Sequence, residues 1–301
     1  MEPTVGRTAR TTPSTEEYAD VRFDTTGKVS LDHIYTQPDP RAYFTTLREL
    51  DYLIPQLAKP YFAKLIREYG ASQRVPAPAV LDIGCSYGIN AALLKCDATM
   101  DELYERYGEE GAAGLTRDEL LDRDRAFVRA RTRPKGIRVA GLDASREALS
   151  YALSAGLLDR AVHADLERHD PTEEQRALFA ETDLVFSTGC LGYVTEKTIE
   201  RIVRAAGERK PWMAHFVLRM FPFDPIEETL AASGYETAEV AGVFKQRRFA
   251  SAEEQTLVLD TLSSLGVDPH GLETDGWLFA RLFISRPRGA TGRESAARPD
   301  A

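Results

Sequence analysis

Val80-Leu81-Asp82-Ile83-Gly84-Cys85-Ser86-Tyr87-Gly88 is the stretch on which the fold turns. A short aliphatic run ends in two glycines four positions apart, and a helical apolar pattern begins at once with Ile89–Leu94. Glycine tolerates left-handed backbone and lets a main chain approach a ligand closely. A buried strand, a glycine turn and a helix in direct succession are the opening unit of an open α/β sheet. Such sheets bind ligands outside the carboxyl ends of their strands.

Working outward, short apolar runs alternate with helical stretches. Ala79–Ile83, Ile137–Leu142, Arg160–His163, Leu184–Ser187 and Trp212–Leu218 read as strands. Ile89–Leu94, Ser145–Ala155, Thr172–Ala180 and a segment after Thr195 read as helices. This alternation predicts a doubly wound, Rossmann-like α/β sheet covered by helices on both faces. Tyr235–Val240 and Trp277–Ser285 read as closing strands around a helix over Ala252–Leu265, which Ser251 and Glu254 begin as a capping box.

Two amphipathic helices precede the sheet. Tyr43, Phe44, Leu47 and Leu50 mark the first; Pro55 and Pro60 punctuate the chain; Tyr61, Phe62, Leu65, Ile66 and Tyr69 mark the second, which Gly70 should end. About forty residues, Lys95 to Gly136, interrupt the alternation after the first sheet helix. Capping boxes at Thr99/Glu102 and Thr116/Glu119 predict helices over Met100–Tyr107 and Arg117–Arg131. This insertion reads either as surface decoration or as a lid or dimer element. The expected organisation is a flexible arm over 1–30, a helical cap over 31–74, a sheet domain over 75–286 with an insertion over 97–134, and a flexible tail over 287–301.

Composition narrows the function. The chain has 301 residues, 43% hydrophobic and 28% charged, enough for a core without disulfides or a structural metal. Forty-seven acidic against 38 basic residues give a net charge of −9, which argues against a nucleic-acid partner. Three cysteines without a C-x-x-C pair imply reduced thiols and a cytoplasmic location. The opening Met-Glu-Pro-Thr lacks the basic and apolar regions of a secretory leader, and no apolar run approaches the ~18 residues of a membrane span. His33, His163, His169, His215 and His270 form no metal-ligand pattern, so no metal is expected.

A dinucleotide loop requires G-x-G-x-x-G, but Ser86 stands at the second glycine position and Ile89 at the third. An acidic residue within the strand followed by G-x-S-x-G instead resembles motif I of class I S-adenosylmethionine-dependent methyltransferases. Order and position add to the resemblance, which spans Ala79 to Met220. Val139–Leu142 ends at Asp143, His163-Ala164-Asp165-Leu166 follows the third strand, and Asp183–Gly189 resembles the fourth motif. The resemblance implies a seven-stranded sheet whose last pair is antiparallel, with S-adenosylmethionine as cofactor. It places Asp82, Gly84, Cys85, Ser86 and Gly88 at the cofactor loop, and Asp143 with Ala144 at the ribose. Asp165 with Leu166 would meet the adenine, and Ser187, Thr188 and Gly189 the methionine end. An ionised carboxylate is acceptor-only and can take both ribose hydroxyls. The insertion puts Asp143 55 residues after Gly88 instead of about 20.

For the acceptor, Tyr193, His215 and Arg219 are the catalytic candidates. Tyr193 follows the loop after the fourth strand, His215 lies on the fifth, and Arg219 near its end could bind a carboxylate bidentately. His215 reads equally as a core histidine and Arg219 as a surface charge. His33, Tyr35 and Tyr43 read as packing, Cys190 as a loop thiol without a partner base, and Lys245–Arg248 as a solvated strand face or an acidic-substrate contact. The expected reaction is methyl transfer to O, N or C of a small molecule. Arginine outnumbers lysine, a usage associated with GC-rich bacteria, and makes a specialised metabolite the expected acceptor. The alternatives are a peptide or carrier-bound acceptor, a protein that binds the cofactor without methylating, and a nicotinamide-dependent oxidoreductase. A homodimer is compatible with all of them.

Overall fold

The computed structural model describes residues 22–133 and 136–290. Before the sheet come helices α1 (Asp32–Tyr35), α2 (Arg41–Glu49) and α3 (Ile54–Gln73). Strand β1 (Ala79–Ile83) then leads into α4 (Ile89–Lys95), and the insertion carries α5 (Met100–Tyr107), α6 (Glu109–Ala112) and α7 (Arg117–Arg131). There follow β2 (Arg138–Asp143), α8 (Arg146–Ser154), β3 (Arg160–His163), α9 (Glu173–Ala180), β4 (Leu184–Thr188), α10 (Glu196–Ala206) and β5 (Trp212–Leu218). The chain closes with α11 (Asp224–Ala232), β6 (Tyr235–Arg248), α12 (Ala252–Ser264) and β7 (Trp277–Pro287).

The seven strands form one sheet in the order β3-β2-β1-β4-β5-β7-β6. The pairs from β3 across to β5 are parallel, and β7 runs antiparallel to both of its neighbours. The expected α/β class and the reversed closing strand are therefore both present. Every residue of β5 is buried, as a central strand covered on both faces must be. On one face Val185, Met213 and Val217 pack against Ile199, Ile226 and Val258 of α10, α11 and α12. On the other, Phe186 and Phe216 pack against Phe62 of α3, with Phe62 and Phe186 stacked at 4.2 Å. The order reverses between β1 and β4, which puts the topological switch point beside the Gly84–Gly88 turn.

The insertion is fastened to the sheet domain. Asp124 of α7, 1% exposed, accepts hydrogen bonds from Arg106 Nε (2.9 Å), Tyr107 Oη (2.7 Å) and Tyr151 Oη of α8 (2.7 Å). Phe44 of α2 stacks on Tyr107 at 4.5 Å, which ties cap and insertion together. Both helices expected there have the expected bounds: a full capping box of Thr116 and Glu119 starts α7, whereas α5 has only the Thr99 side chain accepting the Glu102 amide, since the Glu102 carboxylate pairs with Arg131.

Several expectations are corrected. Pro60 does not break the second cap helix; it lies inside α3, which continues past Gly70 to Gln73 and is capped by a left-handed Arg74. Burial of Phe62, Leu65 and Tyr69 on its sheet-facing side outweighs the one backbone hydrogen bond that proline removes. Strand β6 runs eight residues beyond Val240, because two register shifts against β7 absorb Ala241–Val243 and Gln246. Helix α11, opened by Asp224-Pro225, was not anticipated. The expected flexible arm over 1–30 does not hold for its last nine residues. Residues 1–21 lie outside the described residues, but 22–30 form a small hairpin, with Phe23 bridging Val29 and Val29 buried against α12. Of the expected tail, 291–301 lie outside the described residues, and β7 extends to Pro287.

Candidate functional site

The carboxyl edge of β1 is built by main-chain pairing that outlasts the strand. The Gly84 amide donates to the Leu142 carbonyl at 2.8 Å, and the Gly88 amide to the Cys85 carbonyl at 2.9 Å, turning the chain into α4. Gly84 has φ +67, and a Cβ there would stand 2.7 Å from Cys190 Cβ. Cys85 is buried in space that Gly141 leaves free on β2. Ser86, a non-glycine residue at φ +48, is held there by its amide, which donates to Asp143 Oδ2 at 2.8 Å. Its own hydroxyl is buried without a partner. A strained residue with an unsatisfied hydroxyl is a mark of a functional turn.

Asp82 points to the same turn. It is 1% exposed, and Asn90 Nδ2 donates to its Oδ1 at 3.0 Å while Oδ2 has no partner. Burial pushes its carboxyl up to about 7, against the Asn90 hydrogen bond and with the help of the Asp143 charge. Asn90 also reaches Thr188 Oγ1 at 3.2 Å, so one amide ties β1 to the end of β4. Sequence reasoning passed over Asn90; its place in the first turn after the glycine motif was the available signal.

At the end of β2, Asp143 is half-buried and accepts the Ser86 amide on one oxygen and the Ser145 amide on the other, each at 2.8 Å. Burial raises its pKa despite the opposing amides of Ser145, Ser86 and Ala144. Each oxygen keeps a further lone pair. Ala144 lies beside it, and its carbonyl meets His163 Nε2 at 3.0 Å. Asp165 is exposed; its Oδ1 accepts the Glu167 amide at 3.0 Å, and Arg168 faces its Oδ2 at 3.6 Å. Leu166 beside it is buried.

On the β4 side, Ser187 Oγ and His215 Nδ1 are 2.8 Å apart, both fully buried. Burial drives the His215 pKa down to about 3, so it is a neutral core imidazole beside Phe223, with Nε2 unpaired. The Gly189 amide donates to the Phe216 carbonyl at 2.9 Å, and its φ is +82. A Cβ on Gly189 would lie 2.3 Å from Gln246 Nε2, and the amide oxygen of Gln246 is buried without a partner. Cys190 covers Gly84 and reaches the Ile83 carbonyl at 3.2 Å; burial raises its thiol to about 12.

The three catalytic candidates are thereby given other occupations. His215 is sealed in the core. The Tyr193 hydroxyl donates to Asp24 of the hairpin, and its pKa is raised by burial first and by that bond second. Arg219 pairs with Glu273 and donates to the Asp268 carbonyl at 2.7 Å, which fastens the end of β5 to the segment before β7. Asp183, named with the fourth motif, lies at the opposite edge of the sheet, where it accepts from Tyr69, Ala79 and Arg209. The basic run divides: Lys245 and Arg248 flank the Trp277 ring, while Arg247 is 2% exposed and pairs twice with Glu254.

The chain between hairpin and cap crosses above this edge. Tyr87 Oη donates to the carbonyls of Ile34 and Gln37 at 3.2 and 2.8 Å, and Ser145 Oγ to that of Tyr35 at 2.6 Å. Tyr35, whose hydroxyl burial raises to about 12, feels the charges of Arg247 and Asp143 and so stands between the two sides. Among the described residues no group of His, Cys, Asp and Glu is placed to hold a metal ion, and no helix is long and apolar enough to cross a membrane.

No family model and no curated protein matches the chain. Among solved structures it is similar to the plantazolicin methyltransferase BamL in complex with a triazolic desmethyl analog and S-adenosylhomocysteine. That similarity has 12% identity and a TM-score of 0.38, and covers 77% of this chain and 85% of that one. The magnesium protoporphyrin IX methyltransferase of Synechocystis PCC 6803, with S-adenosylmethionine bound, has 12% identity and a TM-score of 0.36 over 76% and 79% of the two chains. A TehB-like S-adenosylmethionine-dependent methyltransferase from Corynebacterium glutamicum has 16% identity and a TM-score of 0.35 over 76% and 98%.

Proposed function

We propose that this chain is an S-adenosylmethionine-dependent methyltransferase acting on a small molecule. One observation carries the reading: two carboxylates, Asp82 with a buried unpaired oxygen and Asp143 at the strand end, meet at one glycine turn. A pyrophosphate would be repelled there. A ligand with a cationic ammonium or sulfonium and a ribose diol would satisfy both acids. The donor set therefore fits this cofactor, with Asp143 taking the ribose hydroxyls, Asp82 and Ser86 facing the methionine end, and Asp165 and Leu166 at the adenine. Thr188 and Gly189 would line the transferred group's side.

S-adenosylmethionine, when bound, supplies an electrophilic methyl group on a sulfonium. The chain's part is then to orient and to exclude water, which is where most of the barrier to an in-line displacement falls. Tyr35, the Cys190 loop and the crossing chain close the edge above the turn. His215 is too well buried, and Tyr193 too firmly bonded, to serve as a base. The acceptor must therefore present a nucleophile that is already deprotonated or that gives its proton to water after attack. The hairpin's ties to Tyr193 and Glu254 close the edge to a long chain and favour a small molecule over a peptide.

Thermal unfolding with S-adenosylhomocysteine tests the cofactor. At about 100 times its Kd the ligand adds ~2.7 kcal/mol, roughly 5–10 °C for a domain of this size. Wild type is expected to shift with S-adenosylhomocysteine and not with NAD. Asp143→Ala is expected to lose about a hundredfold in affinity, as two charge-assisted hydrogen bonds vanish. A shift with NAD alone, or an unchanged response in Asp143→Ala, refutes the reading.

A further inference from the structure

Lys28 is a half-buried basic side chain at this edge with no ion pair among the described residues. The hairpin is rigidly made: Asp24 Oδ1 accepts from the Thr26 amide (2.8 Å), Thr26 Oγ1 (2.6 Å) and the Lys28 amide (3.0 Å). It is seated on α12 by the Val29 amide on Glu254 (2.8 Å) and by Thr261 Oγ1 on the Thr26 carbonyl (2.9 Å). From this seat the Lys28 ammonium stands 5.2 Å from the centroid of the Tyr193 ring, half-buried. It makes no hydrogen bond or ion pair with any described residue. The other deep cation, Arg247, is already neutralised by Glu254 at 2.6 and 3.0 Å.

The position of Lys28 assigns its side of the site. The charges that act on it belong to Arg247, Glu254, Asp24 and Cys190, which sit on β6, α12, the hairpin and the β4 loop. Burial and the neighbouring Arg247 lower its pKa to about 8, against the pull of the Glu254 and Asp24 carboxylates, neither of which is in ion-pair contact with it. One unpaired ammonium suits one negative charge better than a phosphate dianion. The adjacent walls are aromatic, with Tyr193 and Phe221 edge to face at 5.6 Å.

We propose that Lys28 holds a carboxylate of the methyl acceptor, which makes the substrate a small organic acid. The proposal rests on the methyltransferase reading but is tested separately from it. Isothermal titration of protein saturated with S-adenosylhomocysteine compares benzoate with benzamide, which share a ring and differ in charge. Benzoate is expected to bind wild type at least tenfold more tightly. Lys28→Met should erase that preference, Lys28→Arg should keep it, and affinity for S-adenosylhomocysteine should stay within twofold in both. Equal binding of the two probes to wild type overturns the proposal without any variant. So does a Lys28→Met protein that keeps the preference, or one that loses tenfold in S-adenosylhomocysteine affinity while keeping it, since Lys28 would then serve the cofactor's own carboxylate. If S-adenosylhomocysteine does not bind wild type at all, the methyltransferase reading fails, and the same pair of probes on the free protein still decides the role of Lys28.

Discussion

The two halves of the carboxyl edge are built by opposite means. Around β1 and β2 the two acids are held by residues near them in sequence or on one adjacent strand, and Asp82 Oδ2 and Ser86 Oγ are left buried without partners. Around β4, β5 and β6 the charged groups are nearly all completed, and by residues far away, although His215 Nε2 and Gln246 Oε1 are buried there without partners. Tyr193 is met by Asp24, Arg219 by Glu273, and Glu254 by Val29 and Arg247. On the proposed reading the first half is a surface prepared for a ligand. The second is a frame whose paired charges hold the hairpin and the segment before β7, while Lys28 is left without an ion pair among the described residues. Unsatisfied buried groups cost stability, so they persist where a ligand completes them, whereas satisfied ones hold the walls.

The frame should therefore fail hardest when one of its pairs is opened. Glu254 is fully buried and accepts four hydrogen bonds: two from Arg247, one from the Val29 amide and one from the Ala250 amide. Burial works against its ionised form, but those donors hold its pKa below the usual range. Glu254→Ala strands the Arg247 guanidinium and should cost about 3–5 kcal/mol, the usual result of removing one partner of a buried pair. Urea unfolding measures it. A loss below about 1 kcal/mol would mean that the hairpin and β6 are not coupled and that the frame is no frame.

Gly84→Ala tests the join between the halves. The backbone there is left-handed, which costs a residue with a Cβ about 1–2 kcal/mol, and the new carbon would meet Cys190 Cβ at 2.7 Å. A total loss of about 2–3 kcal/mol is expected. Cys190→Gly in the same protein should return the steric part and leave the backbone part, a coupling that a double-mutant cycle reads directly. Strict additivity would show that the Cys190 loop does not lie on the glycine turn in solution.

How much was legible follows the same division. Strand bounds such as Ala79–Ile83, Arg160–His163 and Trp212–Leu218, and the two insertion helices, could be read because apolar period and capping boxes act within a few residues. The glycine turn and the acids at two strand ends were visible for the same reason. What stayed hidden was decided at long range. Nothing near Arg219 in sequence announces Glu273, nor does anything near Tyr193 announce Asp24. Arg247 reads in sequence as one of three solvated cations, because only the β6 bulge and the approach of α12 turn it inward. Lys28 fell within a stretch that reads as an arm, since a hairpin tied by one Asp and seated on a distant helix has no periodicity to show.

Asp82 and His215 give the smallest but sharpest test, because each half buries one titratable group and suppresses its charge. Asp82 is raised to about 7, so its contribution is full at low pH and is lost as pH climbs from about 4 through 7. His215 is lowered to about 3, so its contribution is full above about 6.5 and is lost as pH falls from there toward 3. In wild type the two slopes oppose each other over the intervening range, and a plain pH–stability curve conceals both. His215→Asn keeps a partner for Ser187 but cannot titrate. It should be less stable than wild type at pH 8, and that deficit should shrink by about 2 kcal/mol at pH 5. The size is set mainly by the unfolded value, since pH 5 is well above the folded one. Denaturant midpoints at the two pH values decide the matter: a deficit that stays constant would mean that His215 reaches solvent and protonates normally, which would return it to the acceptor side as a candidate base.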